Sequence, residues 1–227
     1  MVALWLLGCV PDEVTLNLKL ANLAPEGSII ASDSSTHDVK FAPGLVVVHD
    51  DTVSLFTPGA AASPELESAA EDGSPQAFID ALTGADGVYS VALLTHEDEV
   101  TYEAAAMLPG QDGRRQITGP GDAFVSVAFM FGESNDVFFA NAEPLPLWQK
   151  GANAGDWTSS LALWDAGTER NQEPGLGPDQ APRQAAAGDG EVEGGVITAV
   201  EGVDANGYVY PGVADVASLV AEAPATE

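Results

Sequence analysis

Apolar and polar residues alternate along the first strongly patterned stretch of the chain. The apolar positions are Val14, Leu16, Leu18 and Leu20, and the residues between them are Thr15, Asn17, Lys19 and Ala21. Because successive side chains of a strand point to opposite faces, this period of two predicts a half-buried β-strand. A nearly continuous apolar run over residues 123–131 predicts a different strand, buried on both faces and central in its sheet.

Further short apolar runs predict more strands, at residues 45–48, 53–56, 88–95, 100–106, 137–139, 161–164, 194–200 and 213–220. The glycine-rich residues 111–121 predict a connection. Two short helices are predicted where Ser63-Pro64 and Ser74-Pro75 begin segments that end at Gly73 and Gly84. Many short strands with turn signals between them predict a mainly β fold, an antiparallel two-sheet β-sandwich with one or two short inserted helices.

A long irregular loop follows the predicted strand at 161–164. Repeated glycines and prolines interrupt it up to residue 184, and it contains the polar residues Asn171, Gln172, Glu173 and Arg183. Loops of this length in a compact domain are usually functional or disordered. Arg183 is predicted to pair with a nearby acid. These four residues are predicted to brace the loop, with contact to a ligand as the alternative because binding residues often lie on loops.

Composition supports one folded, strongly acidic domain. The chain has 227 residues, of which 45% are hydrophobic, and no composition shift divides it, so we assign residues 10–222 to the domain and 223–227 to a frayed tail. Its 35 acidic and 7 basic residues give a net charge of −28. Nucleic acid is a poor partner for such a surface, because phosphate binding needs clustered lysine and arginine. This acidity is typical of a halophilic source, and also of acidic calcium-binding surface proteins.

The first nine residues suggest export. An apolar run leads to Leu6-Leu7-Gly8-Cys9, which resembles a prokaryotic lipobox, where the cysteine thiol receives a diacylglyceryl group. The run is short and no basic residue precedes it, so a hydrophobic first strand is the alternative. We therefore predict that residues 1–9 are a signal remnant, that Cys9 is lipidated, and that the protein is extracellular or held at the cell surface. The predicted contact with the membrane is only through this anchor.

Three acidic residues stand at predicted strand ends. Asp136 precedes the strand at 137–139, Asp165 follows the strand at 161–164, and Glu169 lies four residues further on. In a sandwich, strand ends collect at two poles, so these carboxylates are able to converge. Without a cation they would repel one another and raise their pKa values. Ca²⁺, which takes six to eight oxygen ligands, would remove that repulsion; the alternative is that all three are solvated loop acids.

Several separated motifs occur in an order that resembles a known family. They are Ala42-Pro-Gly, Val48-His-Asp-Asp, Glu71-Asp-Gly, Ser134-Asn-Asp-Val-Phe-Phe, Trp164-Asp-Ala-Gly-Thr-Glu and Asn171-Gln-Glu-Pro-Gly. Together they resemble the spondin N-terminal domain, the F-spondin-type domain, in its prokaryotic branch. The resemblance implies a C2-like β-sandwich with a calcium ion held by acidic loops at one end. It implies that Asp136, Asp165 and Glu169 are the ligands, with Glu169 standing where the animal domains have aspartate.

Other side chains give weaker indications of function. His49 precedes Asp50 and Asp51 at a strand end, which would suit a hydrolase, but a histidine in a turn hydrogen-bond network is the simpler interpretation. Trp148, Trp157 and Tyr210 are assigned to packing, with a carbohydrate-stacking surface as the alternative. We predict a non-catalytic, calcium-binding adhesion or recognition domain whose partner is a cell-surface or matrix protein or polysaccharide. The alternative function is a calcium-dependent module that binds a polysaccharide or other polymer.

Overall fold

The structure, a computed structural model, describes residues 10–97, 104–149 and 154–224. Cys9 and the predicted lipobox lie outside these residues, as does the end of the predicted tail. The strands are β1 (Val14–Asn22), β2 (Ile29–Ile30), β3 (Thr36–His37), β4 (Gly44–His49), β5 (Val88–Leu94), β6 (His96–Glu97), β7 (Ala104–Ala105), β8 (Asp112–Gly119), β9 (Phe124–Met130), β10 (Val137–Asn141), β11 (Leu145–Pro146), β12 (Gly155–Asp156), β13 (Leu161–Asp165), β14 (Thr198–Ala199) and β15 (Ala217–Glu222). The α-helices are α1 (Pro64–Glu71), α2 (Gln76–Leu82) and α3 (Val213–Val216), and Thr158–Ser160 form a 3₁₀ turn.

Antiparallel sheets form the body of the molecule, as the sequence predicted. A four-stranded sheet has the order β12-β15-β1-β8, and a seven-stranded sheet has the order β14-β13-β10-β9-β4-β5 with β11 beside β9. Along β1, buried and half-buried residues alternate strictly. The inward leucines Leu16, Leu18 and Leu20 are fully buried, and each contributes about 1.5–3 kcal/mol of transfer free energy.

The larger sheet is apolar on both faces. One face of β9 joins β1 in the main core, through side chains such as Val127 and Phe129. The other face lies under α1 and α2, where Ala128 packs in a second cluster with Leu66 and Phe78. This double coverage confirms the prediction that the run at 123–131 is a central strand.

Residues 111–121 were wrongly predicted to be a connection, because most of them form β8. Its inward positions include Gly113 and Gly119. A Cβ at Gly113 would lie 2.2 Å from the Thr95 carbonyl oxygen, and one at Gly119 would lie 2.6 Å from Val48 Cγ1. The glycines therefore let an edge strand pass close to the facing sheet, and they do not mark a loop here.

Of three other strand predictions, one was wrong and two were wrong in part. No strand occurs at 53–56, where Leu55 and Phe56 pack as a loop on the second cluster. Only Thr198–Ala199 of 194–200 is a strand, and 213–220 begins as α3 before β15. Apolar side chains explain all three errors, because burial needs no particular backbone conformation. Of the prediction at 100–106, β7 is present and residues 100–103 lie outside the described part.

Both inserted helices are confirmed. The Ser63 side chain accepts a hydrogen bond from the Leu66 backbone and caps α1, with Pro64 at its first position. Within the described residues, no helix has the length and apolar character needed to cross a membrane.

Candidate functional site

Asp136 and Asp165 are brought together by strand pairing. Val137 of β10 lies opposite Asp165 of β13, so the residue just before β10 stands beside the residue that ends β13. The Ala166 backbone N–H donates to the Asp136 carbonyl oxygen at 3.2 Å. The two loops predicted to meet at one end of the sandwich therefore do meet.

The Asp136 carboxylate is the most unusual group at this end. Its side chain is 0% exposed. Oδ2 accepts hydrogen bonds from the Thr168 and Glu169 backbones at 2.8 and 3.0 Å and from the Thr168 hydroxyl at 3.1 Å. Oδ1 is buried and has no hydrogen-bond partner within the described part of the chain. Burial, and next the charge of Asp165, raise the pKa of Asp136 to about 7 despite the hydrogen bonds that lower it.

Asp165 is also nearly buried, but both of its oxygens have donors. Oδ1 accepts from the Gly167 backbone at 2.8 Å, and Oδ2 accepts from Asn171 Nδ2 at 2.6 Å. Burial raises its pKa; the Gly167 and Asn171 hydrogen bonds lower it, and the charges of Glu193 and Asp204 raise it. Gly167 has φ of 69°, and a Cβ there would lie 2.7 Å from the Val196 backbone nitrogen, so this turn requires glycine.

Glu169 joins the site through its backbone, and its carboxylate has other partners. Its Oε2 accepts from Asn135 Nδ2 at 3.3 Å, and its Oε1 accepts from the Gly190 backbone at 2.9 Å. Burial raises the pKa of Glu169, against these two hydrogen bonds. Across the described residues, no group of three or more histidine, cysteine, aspartate or glutamate side chains is arranged to hold a metal ion. Any calcium shell here would therefore depend on amide, carbonyl or water oxygens beside Asp136 and Asp165.

Two further acids, beyond those predicted from the sequence, lie at this end of the molecule. Glu71, at the end of α1, is 5% exposed. Burial raises its pKa to about 7; a hydrogen bond with Thr168 lowers it, and the charge of Glu169 raises it. Asp204 Oδ2 lies 3.4 Å from the Tyr210 hydroxyl, which also lies 3.4 Å from Asn171 Oδ1. We call Asp136, Asp165, Glu169, Glu71 and Asp204 the acidic pole.

Only one sequence signal pointed towards these additions. Glu71-Asp72-Gly73 was among the motifs that carried the family resemblance, but helix periodicity gives no reason for a buried glutamate. Asp204 lies two residues before Asn206-Gly207, a pair that favours a tight turn. Its Oδ1 does accept hydrogen bonds within that turn, from the Asn206 and Tyr208 backbones at 2.9 Å each.

The polar residues of the 165–184 loop are engaged with one another and with the body of the protein. The Gln172 backbone donates to Asn135 Oδ1 at 3.0 Å, and its side chain donates to Asp179. Glu173 accepts from the backbone and hydroxyl of Ser32. Gln180, fully buried, donates to the Gln172 and Glu173 carbonyls at 3.2 and 3.0 Å. These contacts are those of a braced loop.

Arg183 has the acidic partner predicted for it. Its Nη1 lies 2.8 Å from Oε2 of Glu133, whose side chain is 0% exposed. Lys40 Nζ lies 2.8 Å from the other Glu133 oxygen. Glu133 stands just before the Asn135–Asp136 turn, so this buried ion pair joins the loop to the segment that positions Asp136. Arg183 also donates to the side chain of Gln180.

His49 occupies a buried hydrogen-bond network. It is 0% exposed, with Nδ1 2.6 Å from the Asp50 carbonyl oxygen and Nε2 2.9 Å from the hydroxyl of Ser126. Ser126 is itself only 4% exposed, so the pair sits between strands rather than in a cleft. Trp148, Trp157 and Tyr210 pack against the main core.

The fold and this site define a class: an antiparallel β-sandwich with a buried acidic pole where two loops meet. Neither a scan against protein-family models nor a search of curated proteins finds a match to the chain. The resemblance to the spondin N-terminal domain therefore rests on the sequence motifs alone.

Proposed function

We propose that this protein is a non-catalytic, calcium-binding module that acts in adhesion or recognition at the cell exterior, with the ion bracing two loops at the acidic pole. The observation that carries this proposal is the Asp136 carboxylate, which is wholly buried and leaves Oδ1 without a donor. Leaving a buried charged acceptor unpaired costs more than about 1–3 kcal/mol. A bound cation would offset that cost.

The side-chain oxygen ligands at the acidic pole suit calcium better than zinc or copper. Asp136 and Asp165 supply carboxylate oxygens, no histidine or cysteine belongs to the acidic pole, and hard oxygen donors are what Ca²⁺ prefers. The chain's own residues prepare this position. Backbone N–H groups from Thr168, Glu169 and Gly167 fix one oxygen of each carboxylate. When bound, the ion would neutralise charge that the protein itself leaves uncompensated.

An adhesion or recognition role follows from what the ion would stabilise. The 165–184 loop is joined to the acidic pole through Asn171 and to the 133–136 turn through Gln172 and Arg183. Fixing both loops presents a rigid surface to a partner, at little entropy cost on binding. The family resemblance and the predicted lipobox support placement outside the cell.

Calorimetric titration of the chelator-treated protein with CaCl₂ tests the proposal. We expect saturable binding in the wild type and at least tenfold weaker binding in Asp136→Asn and Asp165→Asn. Asp156→Asn is the matched control, because Asp156 also accepts from the backbone two residues on, Thr158, at 2.8 Å, yet lies away from the acidic pole. Wild-type affinity in both pole variants would show that the site is misassigned, and no binding by the wild type would remove calcium from the proposal.

A further inference from the structure

An apolar groove lies at the surface beside the acidic pole. Its larger part encloses about 370 Å³ and is lined by residues that include Ile29, Phe131, Tyr210 and Pro211. An adjoining part shares Ile29, Ile30, Pro174 and Val209 with it and extends to Glu173. We call this feature the Ile30–Val209 groove. Its volume falls in the range of pockets that hold ligands.

Two large apolar side chains of the groove are exposed to solvent. Ile30 is 77% exposed and Val209 is 71% exposed, although the floor beneath them is well packed. The floor residue Tyr210 is 3% exposed, and its ring lies 5.7 Å from that of Phe131. Single exposed apolar residues are ordinary, but apolar residues that line one concave surface mark interaction sites.

The charged groups lining the groove are carboxylates. Asp215 lines the larger part and Glu173 lines the adjoining part, and among the described residues no lysine, arginine or histidine lines either. Glu173 is held in place by the backbone and hydroxyl of Ser32, so its charge is fixed at the edge of the groove. With a net charge of −28, the chain is a poor partner for a second copy of itself.

We infer that the Ile30–Val209 groove binds an extended peptide segment of a partner protein in which aliphatic side chains are flanked by lysine or arginine. The aliphatic side chains enter the groove between Ile30 and Val209, and the flanking cations meet Asp215 and Glu173. Burying aliphatic side chains provides the affinity. The carboxylates favour basic over acidic partners, because a like charge opposite them would be repelled.

The inference goes beyond the proposed function and does not depend on a bound ion. Tyr210 nevertheless belongs to both features, because its ring forms part of the groove floor and its hydroxyl contacts Asn171 and Asp204. The groove therefore lies on the surface that the acidic pole supports.

Fluorescence anisotropy with a labelled Lys-Leu-Val-Leu-Lys peptide tests this inference in the full chain. We expect saturable binding, at least tenfold weaker for Glu-Leu-Val-Leu-Glu and for Lys-Ser-Thr-Ser-Lys. Val209→Ser and Ile30→Ser should each weaken binding at least tenfold, and because both side chains are largely exposed these variants should fold. Val192→Ser is the matched control, since Val192 is 80% exposed and lines neither part of the groove; it should bind like the wild type.

Several results would overturn the inference. Equal binding of the lysine-ended and glutamate-ended peptides would remove the role of Asp215 and Glu173. Unchanged binding in both Val209→Ser and Ile30→Ser would place the peptide elsewhere. A concentration-dependent dimer that Val209→Ser dissociates, seen by sedimentation in the absence of peptide binding, would assign the groove to a second copy of this chain. Running every titration with CaCl₂ and with chelator separates failure of this inference from failure of the calcium proposal.

Discussion

At the scale of single residues, the two oxygens of Asp136 have opposite environments. Oδ2 has three donors, whereas Oδ1 has none among the described residues, and the charge of Asp165 disfavours ionisation of this carboxyl group. A neutral amide would suit this position better than a carboxylate when no cation is bound. Its oxygen keeps the donors from Thr168 and Glu169, and the side chain then carries no charge into the buried site.

Asp136→Asn should therefore stabilise the calcium-free protein at pH 8. We expect the free energy of unfolding to rise by about 1–3 kcal/mol, because the amide removes a buried negative charge that burial and Asp165 disfavour. Urea denaturation in the presence of chelator measures it. The same variant should lose the stabilisation that the wild type gains from CaCl₂. A variant less stable than the wild type in chelator would show that the Asp136 charge is already compensated within the chain.

At the scale of elements, a buried carboxylate joins the 165–184 loop to the sheet. Glu133 has no exposed surface, and each of its oxygens meets a cation, Lys40 or Arg183. Removing Arg183 would leave buried Oε2 of Glu133 without its cation, and Lys40 would be the remaining partner of this carboxylate. The loop should thus depend on Arg183 for its conformation, although most of the loop has no regular secondary structure.

Arg183→Met tests this dependence, because it keeps the aliphatic stem and removes the guanidinium. We expect a loss of about 2 kcal/mol in the free energy of unfolding, as for other unsatisfied buried acceptors, and faster proteolytic cleavage within residues 171–184. Arg170→Met is the control. Arg170 pairs with Glu191 on the surface, where both side chains are more than 60% exposed, so its loss should cost less than about 1 kcal/mol. Equal effects of the two substitutions would contradict a special role for Glu133.

These elements also show which parts of the fold and of the acidic pole could be predicted from the sequence. The sequence pattern located β1 by a strict period of two, β9 by a nearly continuous apolar run, and both inserted helices by their Ser-Pro starts and closing glycines. It missed β8, since the reason for Gly113 is a carbonyl oxygen on the facing sheet, which sequence neighbours do not reveal. The convergence of Asp136 and Asp165 could be predicted from strand ends. The diversion of the Glu169 carboxylate to Gly190 could not, because that contact joins loops 21 residues apart.

At the scale of the whole molecule, pH and salt act on two separable kinds of charge. Most of the 35 acidic residues contribute to a general repulsion that salt screens. Asp136 and Glu71 are buried, and burial raises the pKa of each to about 7. Asp165 and Thr168 face Asp136, whereas Thr168, Glu169, Glu67 and Asp72 surround Glu71. Their desolvation persists in salt, so the two contributions respond differently.

The calcium-free protein should lose stability as pH rises from about 4 to above 7. Over this range the folded protein keeps protons on Asp136 and Glu71 that the unfolded chain has released. Because the native state binds more protons, each increase in pH lowers the free energy of unfolding. The limiting slope is about 1.4 kcal/mol per pH unit for each group. Thermal unfolding in 1 M NaCl isolates the pH dependence that comes from these two buried groups, because surface repulsion is then screened.

Calcium should reverse the trend, because the ion binds the ionised carboxylate and competes with the proton. We expect CaCl₂ to raise the melting temperature strongly at pH 8 and little at pH 5, with 1 M NaCl present throughout to remove nonspecific screening. Asp136→Asn should reduce the dependence of the melting temperature on pH and abolish its increase with CaCl₂, whereas Asp156→Asn should change neither. If calcium stabilises the protein equally at both pH values, or if the pH slope vanishes in 1 M NaCl, then the relevant charges lie on the surface, and the buried carboxylate of Asp136 is not where the ion acts.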